Sequence, residues 1–265
     1  MIKLVVSDID GTLLPEGTDK INPEMYDVIR ELQARGIQFV AASGRQYASI
    51  RYVFGPVADD LYYISENGSN VMYHGKNIST EYMDPDLSEE LIHYLLGLEG
   101  CGIILSTPEM LYVEKGQDEL LKLMIEGYHD EVTAVDSLIP YCRHTNKVAL
   151  YCGKGVDHLE KTIMERFSSR LNTARAGAIW IDFMKLGTDK GNALKELQKQ
   201  LGVTPEETMA FGDNCNDIGM LKCAGESYAV ANAHPQLKEA AKYITYAHDE
   251  DGVIRTIREK LLQGE

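Results

Sequence analysis

The sequence predicts an α/β protein: a Rossmann-like core built on a parallel sheet, with a second α/β domain inserted into it. Strands and helices alternate at both ends of the chain, which is the order that produces a parallel sheet. Between them, residues 82–185 contain no strand that ends in a pair of carboxylates. A length of 265 residues fits one core with an insert. We therefore expect a core formed by residues 1–81 and 186–265, and an inserted domain at 82–185.

The first elements form a βαβ unit. The β-branched run at 2–7 predicts a buried strand, and Pro23 marks the first position of a helix that Gly36 ends. An apolar strand follows at 37–42, so a parallel pair with a right-handed crossover is expected. A third strand and a hairpin that turns at His74-Gly75 are predicted at 61–64 and 71–78.

Hydrophobic periodicity also predicts the elements of the insert and of the C-terminal part of the core. In the insert we expect helices at 87–98, 117–127 and 156–168, and strands at 111–114, 147–152 and 178–184. After the insert we expect helices at 190–201, 216–223, 235–242 and 251–262, and strands at 208–211, 228–231 and 243–246.

The chain carries a strong negative charge, because 26 Lys and Arg residues stand against 41 Asp and Glu residues, a formal net charge of −15 at pH 7. Such a field repels polyanions, so we expect neither nucleic acid nor an anionic membrane as a partner. A small anionic substrate is compatible with this charge if a local cation offsets it. We expect a monomer or a weak homodimer.

Cysteine use and hydropathy indicate the compartment. The five cysteines are scattered and include no C-x-x-C pair, which favours free thiols in a reducing environment. The apolar start of the chain meets Asp8 too early for a secretion signal, and no run reaches the ~18 apolar residues that span a membrane. We therefore expect a cytoplasmic protein.

Polar segments follow four predicted element boundaries. They are Asp8-Ile9-Asp10-Gly11-Thr12 after the first strand, Ser43-Gly44-Arg45 after the second, Thr188-Asp189-Lys190-Gly191 at the head of the helix after the insert, and Gly212-Asp213-Asn214-Cys215-Asn216-Asp217 after the strand at 208–211. Ligands of parallel sheets bind outside the carboxyl ends of the strands. The four segments are therefore expected to converge on one site with the groups that phosphoryl chemistry needs.

The carboxylates of these segments indicate a metal. Asp8, Asp10, Asp213 and Asp217 would place several negative charges together, which is unfavourable unless a cation lies among them. A hard divalent ion with oxygen ligands resolves the conflict, and Mg²⁺ suits a few carboxylates together with water and substrate phosphate. Mg²⁺ is therefore the expected cofactor.

The residue types then suggest roles. Asp8 is the candidate nucleophile, because a carboxylate can attack phosphorus and form an aspartyl-phosphate. Asp10 would protonate the leaving alcohol and later deprotonate water, with the Thr12 hydroxyl orienting it. Ser43 and Lys190 would hold phosphate oxygens.

Several residues admit a second interpretation. Lys190 is either a phosphate ligand or a solvated residue in the first helical turn, although a cation there is unfavourable to the helix dipole. Asp217 is either part of the site or a helix N-terminal carboxylate. Arg45 is open between a substrate contact and a salt bridge, and Cys215 is interpreted as a small packing residue. Asp189, directly before Lys190, can temper the charge of that lysine.

The segments resemble the four motifs of the haloacid dehalogenase-like (HAD) phosphatases. The matching residues are Asp8-x-Asp10-Gly-Thr-Leu-Leu, Ser43-Gly-Arg, Lys190-Gly and Gly-Asp213-x-x-Asn216-Asp217. Glu66-Asn67-Gly68, Asn232-Ala233 and Asp249-Glu250-Asp251-Gly252-Val253 resemble the Cof-type subfamily, in which a large (type IIB) α/β cap is inserted between the second and third motifs. The resemblance covers the whole core, whereas the insert matches in length and general pattern only.

The resemblance implies residue roles. Asp8 would be the nucleophile and Asp10 the general acid and base. The implied phosphate- and substrate-binding residues are Ser43, Gly44, Arg45, Lys190 and Asn216. The implied metal-binding residues are Asp8, Asp10 through its backbone carbonyl, Asp213 and, in support, Asp217.

We therefore expect a Mg²⁺-dependent phosphatase that hydrolyses small phosphorylated metabolites, sugar phosphates above all, through an aspartyl-phosphate. The active site is expected between core and cap, with cap closure excluding water and setting substrate choice. A phosphotransferase or phosphomutase remains open, because it would use the same Asp8 and Asp10. A non-catalytic phospho-acceptor module also remains open, although it needs neither Asp10 nor a long insert.

Overall fold

The computed structural model describes residues 1–15 and 18–263. The chain divides into two compact units. The core unit consists of Met1–Ser79 and Asp189–Glu265, and the inserted unit of Thr80–Thr188.

The described strands are, in chain order, β1 (Leu4–Ser7), β2 (Gln38–Ala42), β3 (Tyr62–Ser65), β4 (Asn70–Tyr73), β5 (Lys76–Thr80), β6 (Cys101–Ser106), β7 (Leu111–Glu114), β8 (Val132–Val135), β9 (Lys147–Cys152), β10 (Leu171–Arg175), β11 (Trp180–Lys185), β12 (Thr208–Gly212), β13 (Glu226–Ala229) and β14 (Tyr243–Ile244).

The described helices are α1 (Glu24–Ala34), α2 (Tyr47–Phe54), α3 (Pro85–Leu96), α4 (Asp118–Lys122), α5 (Asp157–Phe167), α6 (Lys190–Leu201), α7 (Ile218–Lys222), α8 (Pro235–Ala240) and α9 (Gly252–Ile257). Single π-helical turns extend α4 and α9. No helix in the described part of the chain is long and apolar enough to cross a membrane.

The core sheet has the strand order β14-β13-β12-β1-β2-β3-β4-β5 and is parallel from β14 to β3. β1 is buried along its whole length and lies between β2 and β12. The chain leaves β1 towards β2 on one side and returns from the insert through β12 on the other. This reversal is a topological switch point, where open α/β sheets bind ligands. The predicted α/β fold class is confirmed.

Helix α1 shows how sequence pattern produces this packing. Its buried residues are Met25, Val28, Ile29 and Leu32, which recur at helical spacing and face the core. Gly36 follows with φ of +75°, a left-handed conformation that ends the helix. Pro23 occupies the cap position and not the first helical position that the sequence suggested.

The last two strands of the core differ from the prediction, because one is shifted towards the N-terminus by two residues and the other is shorter. The strand predicted at 228–231 lies at Glu226–Ala229, and the one predicted at 243–246 has only two residues. The pairing ends at Ala229 because the chain then turns so that the Asn232 side chain donates to the Gly11 carbonyl at 2.8 Å.

The inserted unit has its own six-stranded sheet, in the order β10-β11-β9-β6-β7-β8. One face packs on α3 and α5 through a cluster that includes Leu91, Ile92, Ile103, Leu105, Val148, Leu150, Ile163, Phe167, Ile181 and Phe183. The other face carries a smaller apolar cluster that includes Ile104, Leu120, Met124, Ala149 and Trp180. The strand at Cys101–Ser106, the centre of this sheet beside β9, was not predicted from the sequence.

Candidate active site

Four segments of the core unit meet at the carboxyl ends of β1, β2 and β12. Parallel strands bring these ends to one edge of the sheet, and β1 pairs with both of its neighbours. Helix α6 begins at Lys190 beside them. Predicted site residues that are distant in sequence therefore come into contact.

Lys190 lies at the centre of this site. Its side chain is fully buried, and Nζ donates to Asp8 Oδ1 at 2.5 Å and to Asp217 Oδ1 at 2.7 Å. Burial acts to lower the pKa of Lys190, but the carboxylates of Asp217 and Asp8 outweigh it, so the pKa is raised. Lys190 is a buried cation, and its interpretation as a solvated helix residue is wrong.

Asp189 caps the helix that presents this lysine. Its Oδ1 accepts from the backbone N–H of Asn192 at 2.8 Å, and its Oδ2 accepts from the Asn192 side chain at 2.9 Å. These bonds direct the carboxylate of Asp189 to the helix end. The cap fixes the first turn of α6 and thereby the backbone that carries Lys190.

Asp8, Asp213 and Asp217 each bring a carboxylate oxygen within 4.8 Å of the others. Burial, and then the charge of Asp217, raises the pKa of Asp8 well above its ordinary value, although Lys190 opposes this shift. Burial and the charge of Asp217 also raise the pKa of Asp213 to about 6. Three carboxylates around one lysine leave excess negative charge, which a hard cation with oxygen ligands would neutralise.

Both oxygens of Asp217 are already engaged. Oδ1 accepts from Lys190, and Oδ2 accepts from the backbone N–H groups of Asp213 and Asn214 at 3.1 Å each. The residue is fully buried at the head of α7. Asp217 thus holds Lys190 and the loop that carries Asp213 in place.

Thr12 contacts a different carboxylate from the one expected. Its hydroxyl donates to Asp8 Oδ2 at 2.9 Å and lies 3.3 Å from Asp213 Oδ1. The expectation that Thr12 orients Asp10 is wrong, because Thr12 points into the carboxylate cluster while Asp10 pairs elsewhere. Gly11 has φ of +80°, and a Cβ at this position would lie 2.3 Å from Asp213 Oδ2, so only glycine lets the two loops approach this closely.

Arg45 binds Asp10 in a two-pronged ion pair. Nε donates to Asp10 Oδ2 at 2.9 Å and Nη2 to Oδ1 at 2.5 Å, and Nη2 also donates to the Thr18 carbonyl. Arg45 therefore makes a salt bridge, which was one of its two open interpretations, and the substrate contact stays a prediction. Ser43 is buried, and its hydroxyl accepts from the Arg45 backbone N–H at 3.1 Å.

Asn67 joins the site without having been predicted as a site residue. It accepts from Asn216 Nδ2 at 3.0 Å, and its backbone N–H donates to the Ser43 carbonyl. A Cβ on Gly44 would lie 3.2 Å from the Asn67 side chain. The signal was present in the sequence, since Asn tolerates the left-handed backbone found here, φ +56°, directly after a strand.

Gly68 and Asn232 complete the framework. Gly68 has φ of +98°, and a Cβ there would lie 2.3 Å from the Asp189 carbonyl oxygen, so this glycine allows the third strand's loop to touch the start of α6. Asn232 bridges Gly11 to the backbone N–H of His248. The sequence predicts no individual role for Gly68 or Asn232. It shows only that the segments containing them resemble the Cof-type subfamily.

Comparison with known proteins gives consistent matches over at least nine-tenths of the chain. The family of haloacid dehalogenase-like hydrolases matches residues 5–257. The 5-amino-6-(5-phospho-D-ribitylamino)uracil phosphatase YbjI of Escherichia coli (strain K12) is 30% identical over 265 residues, which cover 100% of this chain and 97% of that protein. The HMP-PP phosphatase of Serratia proteamaculans (strain 568) is 27% identical and covers 90% of this chain and 87% of its own.

A solved structure agrees with these sequence matches. A crystal structure from Eubacterium rectale superposes with a TM-score of 0.87 at 32% identity, covering 98% of this chain and 99% of the other.

Proposed function

The chain belongs to the haloacid dehalogenase-like hydrolases and is a phosphoric monoester hydrolase; from this we propose that it is a Mg²⁺-dependent phosphatase of small phosphorylated metabolites, sugar phosphates above all. The reaction would pass through an aspartyl-phosphate on Asp8. The observation that carries this proposal is the buried Lys190, which bonds to Asp8 and Asp217 at the carboxyl edge of the core sheet.

Asp8 would act as the nucleophile. One carboxylate oxygen of Asp8 forms a bond to phosphorus while the bond from phosphorus to the leaving oxygen breaks. Lys190 and Thr12 fix the carboxylate of Asp8 through the bonds described above, which limits the geometries from which it can attack.

Asp10 would move the protons. It gives a proton to the leaving oxygen in the first step, and in the second step it takes one from the water that attacks phosphorus and releases Asp8. Such acid–base help is worth about 10²–10⁴-fold. The two-pronged contact with Arg45 fixes where the Asp10 carboxylate stands.

Lys190, Ser43 and Asn216 would hold the phosphate oxygens. Lys190 supplies a permanent local cation in a chain whose net charge of −15 otherwise repels anions. Because Lys190 is buried, its charge acts at low effective dielectric and stabilises the negative charge of the transferring group.

The donor set fits Mg²⁺. The ion would be held by Asp8, Asp213 and the backbone carbonyl of Asp10. Asp217 would support the site indirectly, because it bonds to Lys190 and to the loop that carries Asp213. The chemistry that Mg²⁺ supplies when bound is positive charge beside the phosphate oxygens. Burial, and then the charge of Asp217, raises the pKa values of Asp8 and Asp213. A bound cation would favour the ionised form of both carboxylates, which supports this proposal.

The inserted unit would set substrate choice, as the expected cap. The core residues described above would contact phosphate, metal or one another, which would leave the alcohol part of the substrate to be recognised by other residues. A variant that lacks residues 82–185 but keeps the same ranking of substrates would contradict this assignment.

Phosphate release from a panel of sugar and nucleotide monophosphates, with Mg²⁺ or with EDTA, tests the proposed function. We expect release that requires Mg²⁺ and is lost in Asp8→Asn. Isomerised sugar phosphate without free phosphate would instead reveal a phosphomutase.

A further inference from the structure

Cys101 and Cys152 face each other across two strands of the inserted sheet. Cys101 begins β6 and is paired in register with Cys152, the last residue of the antiparallel strand β9. The backbone N–H of Cys152 donates to the Ile179 carbonyl at 2.9 Å, and its carbonyl accepts from the Gly155 N–H at 2.8 Å. Because these backbone groups bond away from β6, the two cysteines form a non-hydrogen-bonded pair, the kind in which opposed side chains lie closest together.

The two side chains also share one apolar face of the sheet. Cys152 is buried in the apolar cluster that packs on α3 and α5, and Cys101 is half-buried against the same cluster. Burial, and then the neighbouring Cys152 thiol, raises the pKa of Cys101 to about 12. The Cys101 thiol is therefore protonated at neutral pH and lies against that of Cys152.

This arrangement has the geometry that a disulfide requires. Opposed residues of a non-hydrogen-bonded pair have Cα atoms about 4.5 Å apart, which lies within the range of disulfides. The strands would therefore not have to move for a bond to form. Cys142, which is buried in the same cluster, instead directs its thiol to the Leu138 carbonyl at 4.0 Å. Filling this cluster with a cysteine thus does not require that its thiol face another thiol.

We infer that Cys101 and Cys152 form a redox site, a dithiol that a low-molecular-weight disulfide such as oxidised glutathione converts to an intramolecular disulfide. Cys101 is the more exposed of the two and reacts first. Its thiolate attacks one sulfur of the external disulfide, whose S–S bond breaks and releases one thiolate. Cys152, after losing its proton, then attacks the sulfur of Cys101 and releases the second thiolate. The pair loses two electrons and two protons, and the external disulfide becomes two thiols.

The bond stabilises the inserted unit, because it closes the long segment from β6 to β9 into a loop and so restricts the unfolded chain. The low acidity of the Cys101 thiol acts in the same direction, since a disulfide is a strong oxidant only where the protein stabilises its reduced form. The bond therefore forms under mildly oxidising conditions and opens again in a reducing environment. The pair thus reports the thiol redox state of its surroundings, independently of the phosphatase reaction.

Equilibration of the native protein with mixtures of reduced and oxidised glutathione tests this inference. After an acid quench the remaining thiols are alkylated, and unreduced tryptic peptides are analysed by mass spectrometry. We expect a peptide pair joined through Cys101 and Cys152, lighter by two hydrogen atoms than the separate peptides, that dithiothreitol separates. The oxidised protein should melt at least about 4 °C above the reduced protein.

Three alanine variants provide the controls. Cys101→Ala and Cys152→Ala should lose both the joined peptides and the rise in melting temperature. Cys142→Ala, which removes a buried thiol of the same cluster, should keep both. Glutathione attached to the exposed Cys215 would be present in all of these proteins, so it does not account for a difference between them.

The outcomes are distinct. The inference is overturned if Cys101 and Cys152 of the wild-type protein stay unlinked in oxidised glutathione, or if the link occurs only in covalent dimers on a non-reducing gel. Comparable linkage of either cysteine to Cys142 would also overturn it, since it would mark exchange in an unfolded chain. Equal melting temperatures of the oxidised and reduced wild-type protein would contradict the stabilising role. Because the link is measured in the wild-type protein, the decision does not depend on the folding of any variant.

Discussion

Lys190 donates a hydrogen bond from Nζ to Oδ1 of Asp8 at 2.5 Å, although the two residues lie 182 positions apart in the chain. The bond joins the segment after the insert to the loop after β1 and places a buried cation against the proposed nucleophile. Lys190 also bonds to Asp217, whereas for Asp213, in the same cluster, burial and the charge of Asp217 raise the pKa to about 6. The predictions below follow from this balance of charges.

Removing the buried cation should affect both activity and stability. In Lys190→Met we expect kcat/KM to fall at least about 10²-fold, because the transition-state charge loses its preorganised partner. The metal-free variant should also melt at a lower temperature, since Asp8 and Asp217 then repel each other unopposed. Lys195 is exposed on the same helix, so Lys195→Met is the control. It should leave kcat/KM and the melting temperature unchanged. A Lys190→Met enzyme with near-normal kcat/KM would contradict the assigned role.

Asp213 links stability to pH and to Mg²⁺. Because its pKa rises from its ordinary 3.8 to about 6 on folding, the native state binds the proton more tightly than the unfolded chain does. This group therefore lowers stability as pH rises from about 4 to 6, and the full cost remains above that window. Bound Mg²⁺ should remove the cost, so the rise in melting temperature on adding Mg²⁺ should be larger at pH 7 than at pH 5.

The matched variant for this prediction is Asp213→Asn. At pH 7 in EDTA it should melt above the wild-type protein, and Mg²⁺ should add little further stability. Asp136→Asn, an exposed aspartate, should behave as wild type. A Mg²⁺-induced shift of wild-type size in Asp213→Asn would show that the metal binds elsewhere.

Arg45 should act through Asp10 and not through phosphate binding. Arg45→Lys keeps the positive charge but loses the two-pronged contact, so the acid group is misplaced. We expect kcat to fall about tenfold or more with alkyl phosphates, whose leaving oxygen needs a proton, and much less with p-nitrophenyl phosphate. KM should change little. Arg51→Lys, whose Arg51–Asp59 ion pair lies at the surface, provides the control; equal losses on both leaving groups would refute the positioning role.

The close approach of Gly68 to the Asp189 carbonyl, at the start of α6, can be tested by comparing Gly68 with Gly36, a second glycine with a left-handed backbone that lies away from this contact. Gly36→Ala, with open space around its Cβ, should cost about 1 kcal/mol of unfolding free energy from backbone strain alone. Gly68→Ala adds a clash with the Asp189 carbonyl and should cost about 3 kcal/mol or more. Urea denaturation measures both, and equal costs would mean that the two loops do not touch as described.

The sequence was sufficient to predict which segments meet, because parallel strands bring their carboxyl ends to one edge. Asp8, Ser43 and Asp213 follow strands that hydrophobic patterning identifies, and Lys190 begins a helix that it identifies. Helix α6 likewise ends at Leu201, as predicted, and is followed by Gly202 with a left-handed φ of +65°.

What the sequence could not show was how the side chains pair within the site. Residue spacing does not show whether Thr12 bonds to Asp8 or to Asp10, and it does not show that Arg45 pairs with Asp10. Both contacts depend on the directions in which side chains leave the loops. For Asn67, the sequence carried a signal for the left-handed backbone but not for the bond that its side chain accepts from Asn216. In the insert, β6 was missed because Gly102 interrupts its apolar run.

The most direct test of the central claim is to quench the wild-type enzyme in acid during turnover with a radiolabelled phosphate ester and map the phosphorylated peptide. We predict label on Asp8, requiring Mg²⁺, and none in Asp8→Asn. The Asp10→Asn variant should accumulate the label, because it forms the intermediate from an activated ester but hydrolyses it slowly. Turnover without label on Asp8, or label that persists in Asp8→Asn, would contradict the mechanism.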